Sequence, residues 1–246
     1  MAEPAKSTLK VFRFDPDRDR EPHFDTFEVP QREGLTVLEA LFDILETQDG
    51  SLAFRYACRG AVCGSCAMYI NGSYRLACQT QVAAFSSGEL TVGPMPHFPV
   101  IKDLAVDMTE FFRKYEQIMP FLVAQSAPPE KERVQTPEAR EAIDEMVDCI
   151  LCGCCYSSCP TVWTDKAYLG PAALTKAYRF LADSRDEAAG ERLSIVAGGD
   201  GIWRCHTIFN CAEACPKRIN PTWSIQQLKR KSALRRLSSW LIRSST

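Results

Sequence analysis

With 246 residues, 46% of them hydrophobic and 24% charged, the chain is long enough for two modest domains that each bury a core. No stretch approaches the roughly 18 consecutive apolar residues that a spanning helix needs, so the chain is not expected to cross a membrane by itself. The net charge of -2 hides an asymmetry: from Pro216 to Thr246 there are eight Lys or Arg and no Asp or Glu, a segment suited to anionic lipid or an acidic partner.

Twelve cysteines fall in three groups, with none between Cys78 and Cys149. A disulfide framework belongs mainly to short secreted chains. The opening MAEPAKSTLK has no apolar h-region, and neighbours such as Cys154 and Cys155 cannot pair without strain. The clustering is read as metal ligation in a reducing compartment.

Along the chain, Thr8 to Asp15 (TLKVFRFD) and His23 to Val29 (HFDTFEV) alternate apolar and polar residues and predict two paired strands. TVLEALFDILETQ then places Val37, Leu38, Leu41, Phe42 and Leu45 on one helical face, with Thr36 as cap. AMYI and YRLACQT flank Asn71-Gly72, a strong hairpin turn signal, and ELTVGP closes an α+β domain over residues 1–94. A connecting segment follows over 95–137, in which DMTEFFRKYEQIMPFL reads as helical and SAPPEKERVQTP as a polar linker. Over 138–246 the expected elements are helices: PEAREAIDEMVD, then GPAALTKAYRFLADSRD with Pro171 in its first turn, then a last helix from Pro221 capped by Asn220.

The first cysteine group reads CRGAVCGSC, with Cys58, Cys63 and Cys66 followed by the distant Cys78, the plant-type ferredoxin spacing of a 2Fe-2S cluster. A four-cysteine zinc site is the alternative. The second group, CILCGCCYSSCP, contains Cys149, Cys152, Cys155 and Cys159 before a proline, which is the bacterial ferredoxin run. Cys154 falls off that spacing and reads as a small buried thiol. Fifty-six residues further on the run recurs as Cys205, Ile208, Cys211 and Cys215.

In paired runs of this kind the fourth cysteine ligates the other cluster. Cys149, Cys152 and Cys155 therefore take Cys215 for a 4Fe-4S cluster. Cys205 and Cys211 take Cys159 and meet Ile208 where a fourth thiolate would stand. Three ligands suit a 3Fe-4S cluster, with a cubane carrying one water-ligated iron as the alternative.

Three clusters in this order, together with FRYACRGAVCGSCAMYING, PHFPVIKDL, GPAALTKAYRFLADSRD and RCHTIFNCAEACPK, resemble the iron-sulfur subunit of succinate dehydrogenase and its close relative fumarate reductase. The resemblance spans nearly the whole chain. It implies a β-grasp plant-type ferredoxin domain followed by a mostly helical bacterial-type, two-cluster ferredoxin domain. It also implies a flavoprotein partner holding FAD, a membrane anchor that binds quinone and has room in the family pattern for haem, and a peripheral place on the cytoplasmic face of a bacterial inner membrane. The expected role is to carry electrons from the flavin through the three clusters to the quinone.

No substrate-processing site is visible. His23, His97 and His206 are the three histidines, and there is no nucleophile motif, paired carboxylates or phosphate-cradling glycine loop. The positions matching the family's quinone site are Pro160, Trp163, His206 and Ile208. His206 is read either as a proton relay, since imidazole titrates near neutral pH, or as a polar neighbour of the cluster. Ubiquinone-using dehydrogenases of this family carry a second Trp where Thr164 stands here, which points to menaquinone. The tail spaces Leu234, Leu237 and Leu241 along one face among basic residues, as in an interfacial helix or a solvated helix packed on its own domain. Nucleic-acid binding finds no aromatic interleaving or module in support. A fumarate reductase subunit, a free ferredoxin-like carrier and a zinc-stabilised interaction protein are the rival readings.

Overall fold

The structure is a computed structural model that describes residues 6–85 and 89–244, the last six of these by backbone alone. In chain order the strands are β1 (Lys6–Arg13), β2 (His23–Pro30), β3 (Ala67–Ile70), β4 (Ser73–Leu76), β5 (Glu89–Gly93), β6 (Val100–Lys102) and β7 (Ala105–Val106). The α-helices are α1 (Val37–Thr47), α2 (Thr109–Glu116), α3 (Pro137–Glu141), α4 (Asp144–Val147), α5 (Cys154–Ser157), α6 (Pro160–Thr164), α7 (Pro171–Ala182), α8 (Ala189–Val196), α9 (Asn210–Glu213) and α10 (Pro221–Ser244). Two compact units divide the chain, Met1–Met108 with Ile150–Ser157, and Thr109–Cys149 with Ser158–Thr246.

In the first unit five strands form one sheet in the order β2-β1-β5-β3-β4. β1 pairs antiparallel with β2 over its whole length and parallel with β5. A parallel pair cannot be closed by a tight turn, and α1 lies in the connection between β1 and β5, the grasp arrangement that a ferredoxin-type sheet requires. The helix begins where expected. Thr36 Oγ1 accepts the Glu39 N–H at 3.2 Å, and the Thr36 N–H donates back to the Glu39 carboxylate at 2.9 Å, a reciprocal cap.

The buried face of α1 is Val37, Leu38, Ala40, Leu41 and Ile44, one step round from the expected stripe. Phe42 is partly buried and meets Phe54 and Tyr56 edge-on, while Leu45 is partly buried against the core. Asn71 and Gly72 both have positive φ, 45° and 76°, the backbone of a tight hairpin turn.

The first unit runs beyond the Pro94 expected from composition. Asp103, just past β6, is buried and accepts from Arg13 Nε at 3.1 Å, the Phe14 N–H at 3.0 Å and the Ala53 N–H at 2.9 Å. Ile150–Ser157 packs into the same unit: Ile150 and Cys152 lie against its core, Tyr156 stacks near Phe98 at 5.3 Å, and Ser157 Oγ donates to the Pro96 carbonyl.

In the second unit α7 is the central helix, with α8 and α10 packed on it. Its residues Ala172, Ala173, Leu174 and Ala177 are buried, as are Ile225 and Leu228 of α10. The stretch read as one helix, PEAREAIDEMVD, is broken into α3 and α4 at Ile143, whose φ of -121° leaves the helical region as its side chain goes fully into the core. Arg192 on α8 is wholly buried. It pairs with Asp186 at 2.6 Å and donates to the carbonyls of Ile118, Met119 and Phe121 at 3.1 to 3.2 Å. α10 starts as expected, with the Trp223 N–H donating to Asn220 Oδ1 at 3.0 Å. Its first half is packed, and from Ala233 to Ser238 it is exposed. Leu234 and Leu237 are each 57% exposed, and the Leu241 side chain lies outside the described residues. Among the described residues no helix is long and apolar enough to cross a membrane.

Candidate cluster-binding sites

The loop from Cys58 to Cys66 winds back on itself because Arg59, Ala61 and Gly64 adopt positive φ of 56°, 57° and 74°. That winding aims backbone N–H groups at sulfur. Cys58 Sγ accepts from Gly60 at 3.4 Å and from Val62 and Cys63 at 3.3 Å, and the Cys58 N–H points at Cys63 Sγ at 3.5 Å. Donors of this kind favour negative charge on sulfur, as cluster-ligating thiolates require. The Cys58 N–H and the Ser65 hydroxyl bring the Cys63 thiol down to about 6, while burial pushes Cys66 up to about 12. Cys66 interacts electrostatically with both Cys63 and Cys78, so the four cysteines of the first group converge. Cys58 and Cys63 are exposed, Cys78 is half-buried and Cys66 is buried.

Gly64 sits against the second cysteine run. A Cβ at this position would lie 2.9 Å from the Cα and Cβ of Cys152 and from the Ile150 carbonyl oxygen. Leu151 and Gly153 flank Cys152 with positive φ of 54° and 85°. Cys154 is fully buried, and its thiol and N–H hold the Cys152 thiol below its ordinary range. In the second unit burial pushes the Lys176 ammonium down, while the neighbouring Cys149 pulls the other way. Its Nζ donates to the Met146 carbonyl at 3.3 Å.

The third constellation lies within the second unit. Cys159 at the start of α6, Cys205 and Cys211 on α9 line one pocket and interact electrostatically with one another. Burial pushes the Cys159 and Cys211 thiols up. Thr207 and Phe209, with φ of 59° and 70°, turn the chain between Cys205 and Cys211. α10 supports that turn: Gln226 Nε2 donates to Thr207 Oγ1 at 2.9 Å, Lys229 Nζ donates to the Cys205 carbonyl at 2.9 Å, and Thr222 Oγ1 meets Cys211 Sγ at 3.3 Å. Next to Cys159 and Cys211, Ser158 Oγ donates to the Asn210 carbonyl at 3.2 Å and Asn210 Nδ2 donates to the Ser158 carbonyl at 3.3 Å.

Pro160, His206 and Ile208 line the same pocket, and Ile208 is 50% exposed. Trp163 is half-buried on α6 and is not among the lining residues, and Thr164 beside it is exposed. Tyr168 is a lining residue that no spacing rule marks. Its hydroxyl is buried without a hydrogen-bond partner, the Cys205 sulfur lying beside it without forming a bond of normal geometry. Burial and the three surrounding sulfurs push its pKa up, so the phenol stays protonated. Converging sulfurs and an unanswered buried donor fit an iron-sulfur centre in this pocket. Among the described residues no three His, Cys, Asp or Glu side chains are set around a single metal ion.

Residues 8–113 match the family profile of a 2Fe-2S iron-sulfur cluster binding domain, and residues 145–219 match that of a 4Fe-4S dicluster domain. The chain is 45% identical over 228 residues to the rice mitochondrial succinate dehydrogenase [ubiquinone] iron-sulfur subunit 1, covering 91% of this chain and 81% of the relative. It is 42% identical to the succinate dehydrogenase iron-sulfur subunit of Paracoccus denitrificans, covering 90% and 86% respectively. A chain of the Mycobacterium smegmatis Sdh1 complex in the apo form superposes with a TM-score of 0.79 at 26% identity, over 95% of this chain and 98% of that one. On this likeness, carried over nine-tenths of its length, the chain belongs to the succinate dehydrogenase iron-sulfur subunit family.

Proposed function

We propose that this chain, an electron-transfer subunit of succinate dehydrogenase, ends its electron path at a three-iron centre held by Cys159, Cys205 and Cys211 beside a quinone. The observation that carries this reading is the pocket in the second unit, where three thiols converge and Ile208 brings an apolar side chain in place of a fourth ligand. Cys58, Cys63, Cys66 and Cys78 would hold the 2Fe-2S cluster. Cys149, Cys152, Cys155 and Cys215 would hold the 4Fe-4S cluster. When bound, these clusters supply one-electron carriers between a flavin and a quinone.

The residues of the chain prepare those places. The N–H groups around Cys58 favour thiolate, and Gly64 removes the side chain that would separate the first loop from Cys152. Pro160 and His206 share the three-thiol pocket with Ile208 and form the wall of the proposed quinone site. Trp163, which does not line that pocket, keeps its place in the proposal by resemblance to the family's quinone site.

Electrons would arrive from a flavoprotein subunit holding FAD and leave through a membrane anchor. Trp203, Ile208, Phe209 and Trp223 are large apolar side chains left substantially exposed in the second unit, as a surface that docks on such an anchor would be. The proposed location is peripheral, on the cytoplasmic face of a bacterial inner membrane. Thr164, standing where ubiquinone-using relatives carry a second Trp, supports menaquinone as the acceptor. The test is purification of the complex from membranes, iron counting with Mössbauer spectroscopy, and succinate oxidation with naphthoquinone and benzoquinone acceptors. A second four-iron cluster in place of the three-iron one, or no preference for naphthoquinone, would overturn the corresponding part.

A further inference from the structure

Tyr168 presents a problem that packing does not solve. It is among the largest fully buried side chains, and its hydroxyl has no hydrogen-bond partner. A phenylalanine would fill the same space without stranding a polar atom, and a buried hydroxyl left unanswered is unfavourable. Of the other polar side chains lining this pocket, Thr222 meets the Cys211 sulfur, Thr161 is bonded to Cys159, Thr207 accepts from Gln226 and Asn210 donates to the Ser158 carbonyl, which leaves His206 and the sulfurs as the remaining side-chain acceptors. Pro160, Pro171, Ile208 and Ile225 offer no side-chain acceptor. Tyr168 lines the pocket that Cys159, Cys205 and Cys211 also line, and the sulfurs of all three are near enough to its hydroxyl to interact with it electrostatically, Cys205 most strongly.

We propose that the Tyr168 hydroxyl donates a hydrogen bond to a sulfur of the iron-sulfur centre held by Cys159, Cys205 and Cys211, and so raises that centre's reduction potential. This rests on the placement of a cluster in that pocket. One electron enters the centre on reduction, the phenol keeps its proton throughout, and no bond is broken. The bond strengthens when the added electron makes sulfur a better acceptor, so it favours the reduced state; hydrogen bonds to sulfur are among the determinants of cluster potential. Tyr168 is thereby a positioning and tuning residue, acting on the last carrier before quinone.

The test compares the complex isolated from membranes with its Tyr168→Phe counterpart by redox titration monitored by paramagnetic resonance. The expected result is an unchanged amount of cluster per chain. At the wild-type midpoint the ratio of reduced to oxidised centre should fall about five- to tenfold, tenfold corresponding to about 59 mV for a one-electron couple, with the other two centres unmoved. In resonance Raman spectra, part of the deuterium shift of the iron-sulfur bands should vanish. Replacement of Tyr168 alone by 3-fluorotyrosine, a more acidic phenol of nearly the same shape, should move the ratio the other way. An intact cluster with an unchanged midpoint and deuterium shift overturns the proposal and leaves a water molecule as the hydroxyl's partner. If Tyr168→Phe loses the cluster, the fluorotyrosine protein decides, because it keeps the hydroxyl. If iron counting finds four irons in this pocket, the three-iron reading fails separately, and the same comparison on that four-iron centre still decides the hydrogen bond.

Discussion

Gly64 and Cys152 touch through backbone: the place of the absent Gly64 side chain is 2.9 Å from Cys152 Cα, and the glycine itself has a φ of +74°. Both facts oppose any larger residue. Gly64→Ala should cost about 2–4 kcal/mol, from left-handed strain and overpacking together. It should also displace the Cys58–Cys66 loop from Cys152. Thermal unfolding of the purified chain and its iron content check this, and a melting curve like that of the unaltered chain would refute it.

Ile208 lines the three-thiol pocket where the repeated run calls for a cysteine. Ile208→Cys restores the full run and should admit a second four-iron cluster, raising iron per chain from about nine to about ten. The potential of the converted centre should fall and quinone reduction should slow. Mössbauer spectra that keep a three-iron component in the variant would show that Ile208 does not determine cluster type.

Arg192 and Asp186 form a wholly buried ion pair whose guanidinium also serves three carbonyls from Ile118 to Phe121. Arg192→Leu leaves the Asp186 carboxylate buried and unpaired, at a cost of about 3–5 kcal/mol. The apparent melting temperature should drop by roughly 10 °C, with cluster spectra normal in whatever fraction remains folded. Scanning calorimetry measures it.

Asp49 carries an acid-sensitive part of the first unit's stability. Hydrogen bonds from Ser51, and then the Arg13 guanidinium, pull its pKa from 3.8 to about 2. Because the folded value is depressed, this stabilisation is present above pH 4 and is lost as pH falls towards 2. Solvent screening limits it to about 1 kcal/mol. Asp49→Asn should be less stable at neutral pH and should flatten the decline in stability between pH 4 and pH 2, as read by circular dichroism. A decline as steep as that of the unaltered chain would contradict the assignment.

Leu234 and Leu237 leave an apolar edge in the exposed half of α10, while Arg235 Nη1 holds the helix to α8 through the Gly190 carbonyl at 2.6 Å. Leu234→Ser with Leu237→Ser should leave the clusters and that tether intact yet lower recovery of the complex in the membrane fraction after a salt wash. Unchanged recovery would make this half of the helix a solvated face.

The two ferredoxin-type domains were legible because cluster ligation demands cysteines at particular spacings, and Ile208 stood out against that demand. Strand pairing was legible for a similar reason, since alternation and Asn71-Gly72 leave few registers. What eluded inspection depends on contacts far apart in the chain. The return of Ile150–Ser157 to the first unit is set by Pro96, Phe98 and the core, none of them near it in sequence. The break at Ile143 follows from burial that no local propensity marks, and the placing of Trp163 outside the pocket lining depends on which way α6 faces. Tyr168 lies between two recognisable motifs and carries no motif of its own.

The paired hydrogen bonds between Ser158 and Asn210 hold residues adjacent to Cys159 and Cys211 by protein contacts alone. The approach of those two stretches of backbone is thus set by the chain itself. The iron-sulfur centre proposed between them would have little nuclear rearrangement to undergo when its charge changes by one, and small rearrangement is the condition under which an electron passes quickly across a modest driving force.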